Sequence, residues 1–331
     1  MMREQSEQLL PGCPPDAIRV CAEVTRRHAN TFYFGSRFLD ASRRAAVWAV
    51  YAACRRGDDV VDEPAAGTAD QRRDGLEDWW RNVEAAYAGR PANDPVWIAL
   101  AWAVATYPIP LHAFEELYQG LRMDLDGAMP ATLADLELYC RRVGGVIGFM
   151  VTPICGYRGG EETLACALRL GQAMQLTNVL RDVGEDLALD RVYLPADYLA
   201  RHNVRRAALE RGEITPEYRA LVQELVAIAR AWYCEARPGI AYLEGPARLA
   251  IAVAARAYEG ILAELERNDY DNLSRRAFVT SRRKVALVPA TLWQLYTSRP
   301  PSQAPVVARR CLPQSVLLLL RGTVMTQRDV D

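Results

Sequence analysis

Lysine is nearly absent: Lys284 is the only one, and arginine supplies the rest of the 40 basic residues in 331. Histidine is scarce too, and His28, His112 and His202 lie so far apart in sequence that a histidine-built zinc site is not expected. The eight cysteines, at 13, 21, 54, 140, 155, 166, 234 and 311, contain no Cys-x-x-Cys pair. In a chain of this size they read as buried thiols of a reducing, cytoplasmic compartment. Long apolar runs are missing. Val96 to Ala105, Val143 to Cys155 and Ser315 to Leu320 are too short to cross a bilayer. The first residues hold acids and no long apolar core, so a secretion signal is not expected there. Charge of one sign is missing as well: the formal net charge is -1, with neither a basic surplus nor an evident basic stripe. A nucleic-acid partner is therefore not expected. There is no internal repeat, low-complexity tract or convincing linker, and strand-like alternation is weak throughout.

What remains is a chain that is half hydrophobic, with strong helical periodicity. Pro15-Asp16 opens a helix to about His28. Ala29 to Phe38, with Phe32, Tyr33, Phe34 and Phe38, reads as a loop. Asp40 is the expected N-cap of a helix to Asp62, which Pro64 to Gly67 ends. Further helices are expected over Asp70 to Tyr87, from Asp94-Pro95 to Ala105, and over Leu111 to Gln119 with Gly120 past the end. A capping box at Thr132-x-x-Asp135 begins a helix through Tyr139 into Val143 to Phe149. Glu161 to about Leu187 follows the Gly159-Gly160 turn. Thr215-Pro216 and Pro246 each open a long helix, the second reaching Arg267. Arg275 to about Leu295 reads as helical but broken near Pro289. One all-α domain is the economical fold, spanning 15–298 between a loose start, 1–14, and a tail, 299–331, that packs back.

Two acidic stretches carry the chemistry. Asp58 and Asp62 stand at the end of one expected helix, and Asp182 and Asp186 repeat their spacing far downstream. Residues three or four apart share a helix face. Tyr51, Arg55, Asp58 and Asp62 therefore continue an apolar stripe, as do Gln175, Asn178, Asp182 and Asp186. Each face turns from apolar to polar, the pattern of a cavity with an apolar floor and a charged mouth. Asp59 points about a quarter-turn away and is the weaker candidate. Aspartates near a helix C-terminus face the negative end of the helix dipole, worth roughly 0.3–1 kcal/mol each. Bound cations would reverse that cost, and Mg²⁺ commonly takes one or two carboxylates plus substrate phosphate. Arg55, Arg181 and Arg191 would add counter-charge to a diphosphate. A solvated acidic helix end, with Arg55 merely paired to Asp58 or Asp59, explains either cluster taken alone. Spacing leaves both readings open.

The longer motifs resemble a known family. Gln175-Leu-Thr-Asn-Val-Leu-Arg-Asp-Val-Gly-Glu-Asp186, followed by Arg191-Val-Tyr-Leu-Pro195, is similar to the second aspartate signature of the squalene/phytoene synthase family. Ala46 to Asp62, Tyr139-Cys140 with Gly144 and Gly148, and Asn268-Asp-Tyr-Asp-Asn272 with Arg276-Ala277 match in order. The likeness runs from about residue 17 to residue 295. It implies an isoprenoid synthase helical bundle around a central cavity. It also implies head-to-head condensation of two geranylgeranyl diphosphates to phytoene, through prephytoene diphosphate, in carotenoid biosynthesis. By motif match Asp58, Asp62, Asp182 and Asp186 would ligate Mg²⁺, with Mn²⁺ as a substitute, and NADPH is not expected. Tyr51, Arg55, Gln175, Asn178 and Arg181 would serve catalysis, while Phe32, Tyr139, Arg191, Tyr193 and Tyr258 would bind substrate. Ala29-Asn30-Thr31 departs from the Ser and Lys residues that relatives often carry there. The resemblance further implies peripheral membrane contact and contact with upstream and downstream carotenoid enzymes. Two other readings stand beside it: a squalene or dehydrosqualene synthase using C15 substrates, and a non-catalytic helical scaffold descended from the family.

Overall fold

Caps fix most helix starts where the sequence places them. In the computed structural model, which describes residues 12–62 and 67–297, α1 covers Pro15–His28, α2 Asn30–Ser36 and α3 Ala41–Asp62. Asp40 caps α3 by accepting from the Arg43 N–H at 2.9 Å. Next come α4, Ala69–Tyr87, begun by a Thr68/Gln71 capping box, and α5, Pro95–Thr106, whose Asp94 accepts from the Val96 N–H. α6 is Leu111–Leu125 and α7 Leu133–Cys140, the latter with the expected Thr132/Asp135 box. A π-helical turn at Arg141–Gly145 joins α7 to α8, Val146–Cys155. α9 is Gly160–Arg181, α10 Val183–Ala188, α11 Ala196–Arg201 and α12 Arg206–Glu210. α13, Pro216–Ala236, passes through a 3₁₀ turn at Arg237–Tyr242 to α14, Ala247–Arg267, and α15, Ser281–Thr297, closes the series. The described residues form no strand beyond an isolated bridge between Tyr157 and Leu243. Most of the expected start, the Glu63–Ala66 part of the turn after Asp62, Cys311 and the tail 299–331 lie outside the described residues.

Two apolar cores flank a cavity. The first joins α1, α3, α4, α5, α6 and α8 through residues such as Val47, Leu100, Phe114 and Phe149. The second joins α7, α9, α13 and α14 through Leu176, Leu180, Leu225 and Leu262. Val143 and Ile251 pack against both cores and line the cavity between them. α9 is buried along most of its length, as a helix at the centre of a bundle must be.

Five expectations change. The Ala29 to Phe38 segment is largely α2, because its aromatics find partners: Phe32 meets Tyr51 at 5.6 Å, and Tyr33 stacks on Trp48 at 5.3 Å. Gly120 does not end α6 but lies inside it. A Cβ there would come within 2.6 Å of Val143 and 3.0 Å of Arg142, so the missing side chain lets α6 close on the π-helical turn. The expected Glu161 to Leu187 helix is two helices, interrupted at Asp182. The last helix begins at Ser281, not Arg275, and runs through Pro289 unbroken. Five thiols are buried as read, but Cys13 is half-buried and Cys234 exposed.

Candidate active site

The cavity measures about 840 Å³. Its apolar wall comes from α8, α9, α14 and the 3₁₀ turn, with Ile147, Val151, Ile240 and Ile261 among the lining residues. Polar groups enter from two helix ends. α3 brings Tyr51, Arg55 and Asp58 to the wall, and α9 brings Gln175, Asn178 and Arg181. Phe32 of α2 and Tyr258 of α14 complete the set of expected residues that line it.

Asp62, Asp182, Asp186 and Arg191 stand just outside that wall, and Arg191 ties the two helix ends together, its backbone N–H donating to the Asp186 carbonyl at 2.9 Å. Arg191 donates to Asp62 Oδ1 at 2.6 Å and to the Val61 carbonyl at 3.2 Å. Asp182 accepts from its neighbour Arg181 at 2.7 Å and from Arg276 at 2.9 Å. Arg55 pairs with Asp59 at 2.6 Å, which gives that quarter-turn acid a structural partner. The two clusters, far apart in sequence, thus share one electrostatic neighbourhood.

Asp58 and Asp186 resist ionisation. Burial, and then repulsion from Asp62, pushes the Asp58 carboxyl up to about 8. Burial and the nearby Asp182 push Asp186 up to about 7 against the pull of Arg191, with Asp124 and Asp62 adding to the rise. A desolvated cluster of like charges behaves so until cations enter it.

Sequence reasoning missed Asp124. It sits on α6 one turn beyond Gly120. Its Oδ1 accepts from the Tyr193 hydroxyl at 2.6 Å and its Oδ2 from the Tyr139 hydroxyl at 3.2 Å. Burial raises this carboxyl to about 6 although the bond from Tyr193 and the charge of Arg191 oppose the shift. The two tyrosine rings stack at 4.7 Å. Tyr139 is therefore not a cavity aromatic, since its ring is spent on Tyr193 and its hydroxyl on Asp124. The signal for Asp124 existed, because Leu117, Leu121 and Asp124 repeat the apolar-to-acid stripe of α3. Reading Gly120 as a helix end hid it. Arg276 and Lys284 also line the cavity without having been assigned to it.

The donor set fits hard divalent cations. It offers carboxylates and one further oxygen: Asn178 Oδ1 is buried with no hydrogen-bond partner, while its amide donates to Gln175 at 3.2 Å. A buried acceptor without a partner is costly and calls for a ligand. Among the described residues no three acidic, thiol or imidazole groups converge tightly enough to form a closed cage. An ion that binds through one or two carboxylates, water and substrate phosphates needs no such cage.

A sequence profile of squalene/phytoene synthases matches residues 25–283. A phytoene synthase of Thermus thermophilus is 46% identical over 281 residues, covering 85% of this chain and 94% of the relative. A chloroplastic phytoene synthase 3 of Zea mays is 38% identical over 301 residues, covering 89% of this chain and 70% of the relative. Among solved structures, a dehydrosqualene synthase in complex with ligand aligns with a TM-score of 0.78 at 31% identity, over 86% of this chain and 98% of that one. The all-α isoprenoid synthase architecture expected from the motifs is thereby established.

Proposed function

The chain belongs to the squalene/phytoene synthase family, and on that premise we propose that it joins two geranylgeranyl diphosphates head to head into phytoene. It acts as a prenyltransferase of carotenoid biosynthesis, passes through prephytoene diphosphate and releases two diphosphates. One observation carries the reading: an apolar cavity ends at two carboxylate-bearing helix ends bridged by Arg191 and Asp62. The phytoene synthases among its relatives favour the C20 substrate over the C15 alternatives. The retention of all four expected carboxylates and of a free Asn178 oxygen speaks against a non-catalytic scaffold.

Asp58, Asp62, Asp182 and Asp186, joined by Asn178 Oδ1, would hold Mg²⁺, for which Mn²⁺ can substitute. When bound, the ions neutralise the leaving diphosphate and so favour cleavage of its bond to the allylic carbon. Arg55, Arg181 and Arg191 offer planar forks of donors to phosphate oxygens. Tyr51 places its hydroxyl near Asp58, and Tyr193 donates to Asp124. Gln175 stands next to Asn178 near the reacting centre. The faces of Phe32, Tyr51 and Tyr258 border the space where an allylic cation would form, and aromatic faces attract cations. The apolar wall keeps water from that cation while the double bond of the second substrate attacks it. Proton loss closes a cyclopropane. Departure of the second diphosphate, rearrangement and a second proton loss then give the hydrocarbon.

The test is direct. Purified protein with Mg²⁺ should convert the C20 diphosphate to a C40 hydrocarbon, with or without NADPH. Absence of C40 product, or product from the C15 substrate alone, would overturn the assignment.

We propose further that the enzyme works at an anionic membrane surface. No helix of the described residues is long and apolar enough to span a bilayer. The outward side of α15 and the segment before it, however, expose Phe278, Val285, Leu292 and Trp293, the last 71% accessible. The near-neutral total also conceals a segregation that the sequence reading passed over. Asn272 to Arg328 holds nine arginines and one lysine and no acid. Exposed apolar side chains in a stretch of sequence rich in basic residues suit anionic lipid, and Phe278 also lines the cavity through which lipophilic chains pass. Hand-over from and to neighbouring carotenoid enzymes would take place on that surface. Flotation with phosphatidylglycerol vesicles should carry the wild type and lose the Leu292→Ser/Trp293→Ser variant. Equal flotation of both would contradict this docking face.

A further inference from the structure

The break between α9 and α10 has a single author, Asn272. In an uninterrupted helix the Gly184 N–H would donate to the Leu180 carbonyl four residues back. Here Asn272 takes both ends of that bond. Its backbone carbonyl accepts from the Gly184 N–H at 3.1 Å, and its side-chain amide donates to the Leu180 carbonyl at 2.6 Å. The remaining side-chain oxygen accepts from the Tyr218 hydroxyl. Asn272 is 2% exposed and each polar atom of its side chain has a partner.

The surroundings are shaped for this wedge. Gly184 has no Cβ, and one there would lie 2.2 Å from the Leu273 carbonyl oxygen. The turn that delivers Asn272 holds two successive non-glycine residues, Asp269 and Tyr270, at φ 53° and 60°. That conformation is costly for tyrosine and persists only where its surroundings enforce it. At the break Asp182 leaves helical geometry, at φ -104° and ψ 14°, although the Asp186 N–H still donates to its carbonyl at 2.8 Å. Asn178 therefore lies before the deflection, Asp182 on it and Asp186 after it.

We propose that Asn272 is a positioning residue for the second carboxylate cluster: by substituting for the Gly184–Leu180 bond it sets the placement of Asp186 relative to Asn178 and Asp182. It touches neither substrate nor metal and acts through the backbone of α9 and α10. The proposal rests on the reading of this cluster as a divalent-cation and diphosphate site.

Asn272→Leu keeps the volume and removes the side-chain bonds. Its test is calorimetric binding of Mn²⁺ in the presence of inorganic pyrophosphate, alongside thermal unfolding without metal and the Mg²⁺ dependence of turnover. The wild type should bind. The variant should bind Mn²⁺ at least about tenfold more weakly, the scale on which residues supporting metal ligands act. Its Mg²⁺ requirement for half-maximal rate should rise in parallel. A lower unfolding temperature with unchanged Mn²⁺ affinity would show a merely structural role and overturn the proposal. Should Asn272→Leu not fold, Tyr218→Phe, which deletes only the hydroxyl on Asn272, carries the test: a shift of about threefold or more supports the proposal and no shift overturns it. Failure of the wild type itself to bind Mn²⁺ with pyrophosphate would instead sink the metal reading on which the proposal stands.

Discussion

At the end of α3 the backbone stays helical through Asp62, so Asp58 and Asp62 stand one turn apart on one face. At the end of α9 the same spacing meets a different backbone, because Asn272 interrupts the ladder at Asp182. Their partners differ as well. Asp62 is held from across the site by Arg191, while Asp182 is held by its neighbour Arg181 and by Arg276 from the segment after α14. Equal spacing in sequence therefore does not yield two copies of one half-site. The α3 cluster is set by its own helix, whereas the α9–α10 cluster is set by a loop almost a hundred residues downstream. The backbone that carries the first should tolerate changes outside its helix, and the backbone that carries the second should not.

Removing a carboxylate from either side should have the largest effect and should equalise the clusters. Asp58→Ala and Asp182→Ala are each expected to lower kcat by about 10²–10³-fold while far-ultraviolet circular dichroism keeps the helical signal. Unimpaired turnover in either would break the pairing of the two sites. Asp124→Asn comes next. It weakens the support of Tyr139 and Tyr193 and the negative field between the clusters, with an expected loss of about 10- to 100-fold in turnover and a raised Mg²⁺ requirement. A loss with no change in Mg²⁺ requirement would confine Asp124 to a role in folding.

A stability effect of opposite sign should separate the clusters from ordinary ion pairs. The Asp58 carboxyl titrates near 8 in the folded protein and near about 3.9 in an unfolded chain. A raised folded-state value means stability is greatest below the unfolded value and is lost as pH rises through the folded one. Without divalent cations, Asp58→Asn should therefore be more stable than the wild type, by a margin that widens between about pH 4 and pH 8. Urea midpoints in chelator at pH 5 and pH 8.5 read this, and a constant or narrowing margin would contradict the buried, mutually repelling cluster. The smallest effect belongs to Asp59→Asn. Its carboxylate pairs with Arg55 along the helix, a bond worth about 1 kcal/mol or less, so kcat/KM should fall by no more than about threefold.

Much of this was legible in the chain, and the exceptions have physical causes. Caps at Asp40, Asp94, Thr132 and Thr215 placed their helices because a side-chain oxygen beside an unpaired N–H is local information. The carboxylates and their arginines were visible because helical spacing projects them onto one face. What escaped depended on contacts distant in sequence. Gly120 reads locally as a helix stop, but it stands inside α6 as the point where Val143 and Arg142 approach, and that misreading hid Asp124. The break at Asp182 is invisible in α9 itself, since it is made by Asn272. α2 exists because Tyr33 and Phe32 find Trp48 and Tyr51 on α3.

The central claim is that both clusters act together on one diphosphate. Anomalous diffraction from crystals grown with Mn²⁺ and a non-hydrolysable thio-analogue of geranylgeranyl diphosphate tests it most directly. Manganese peaks are predicted beside Asp58 and Asp62 and beside Asn178, Asp182 and Asp186, with the diphosphate between them and the prenyl chain in the cavity. Manganese at one cluster alone, or a diphosphate bound away from both, would contradict the account.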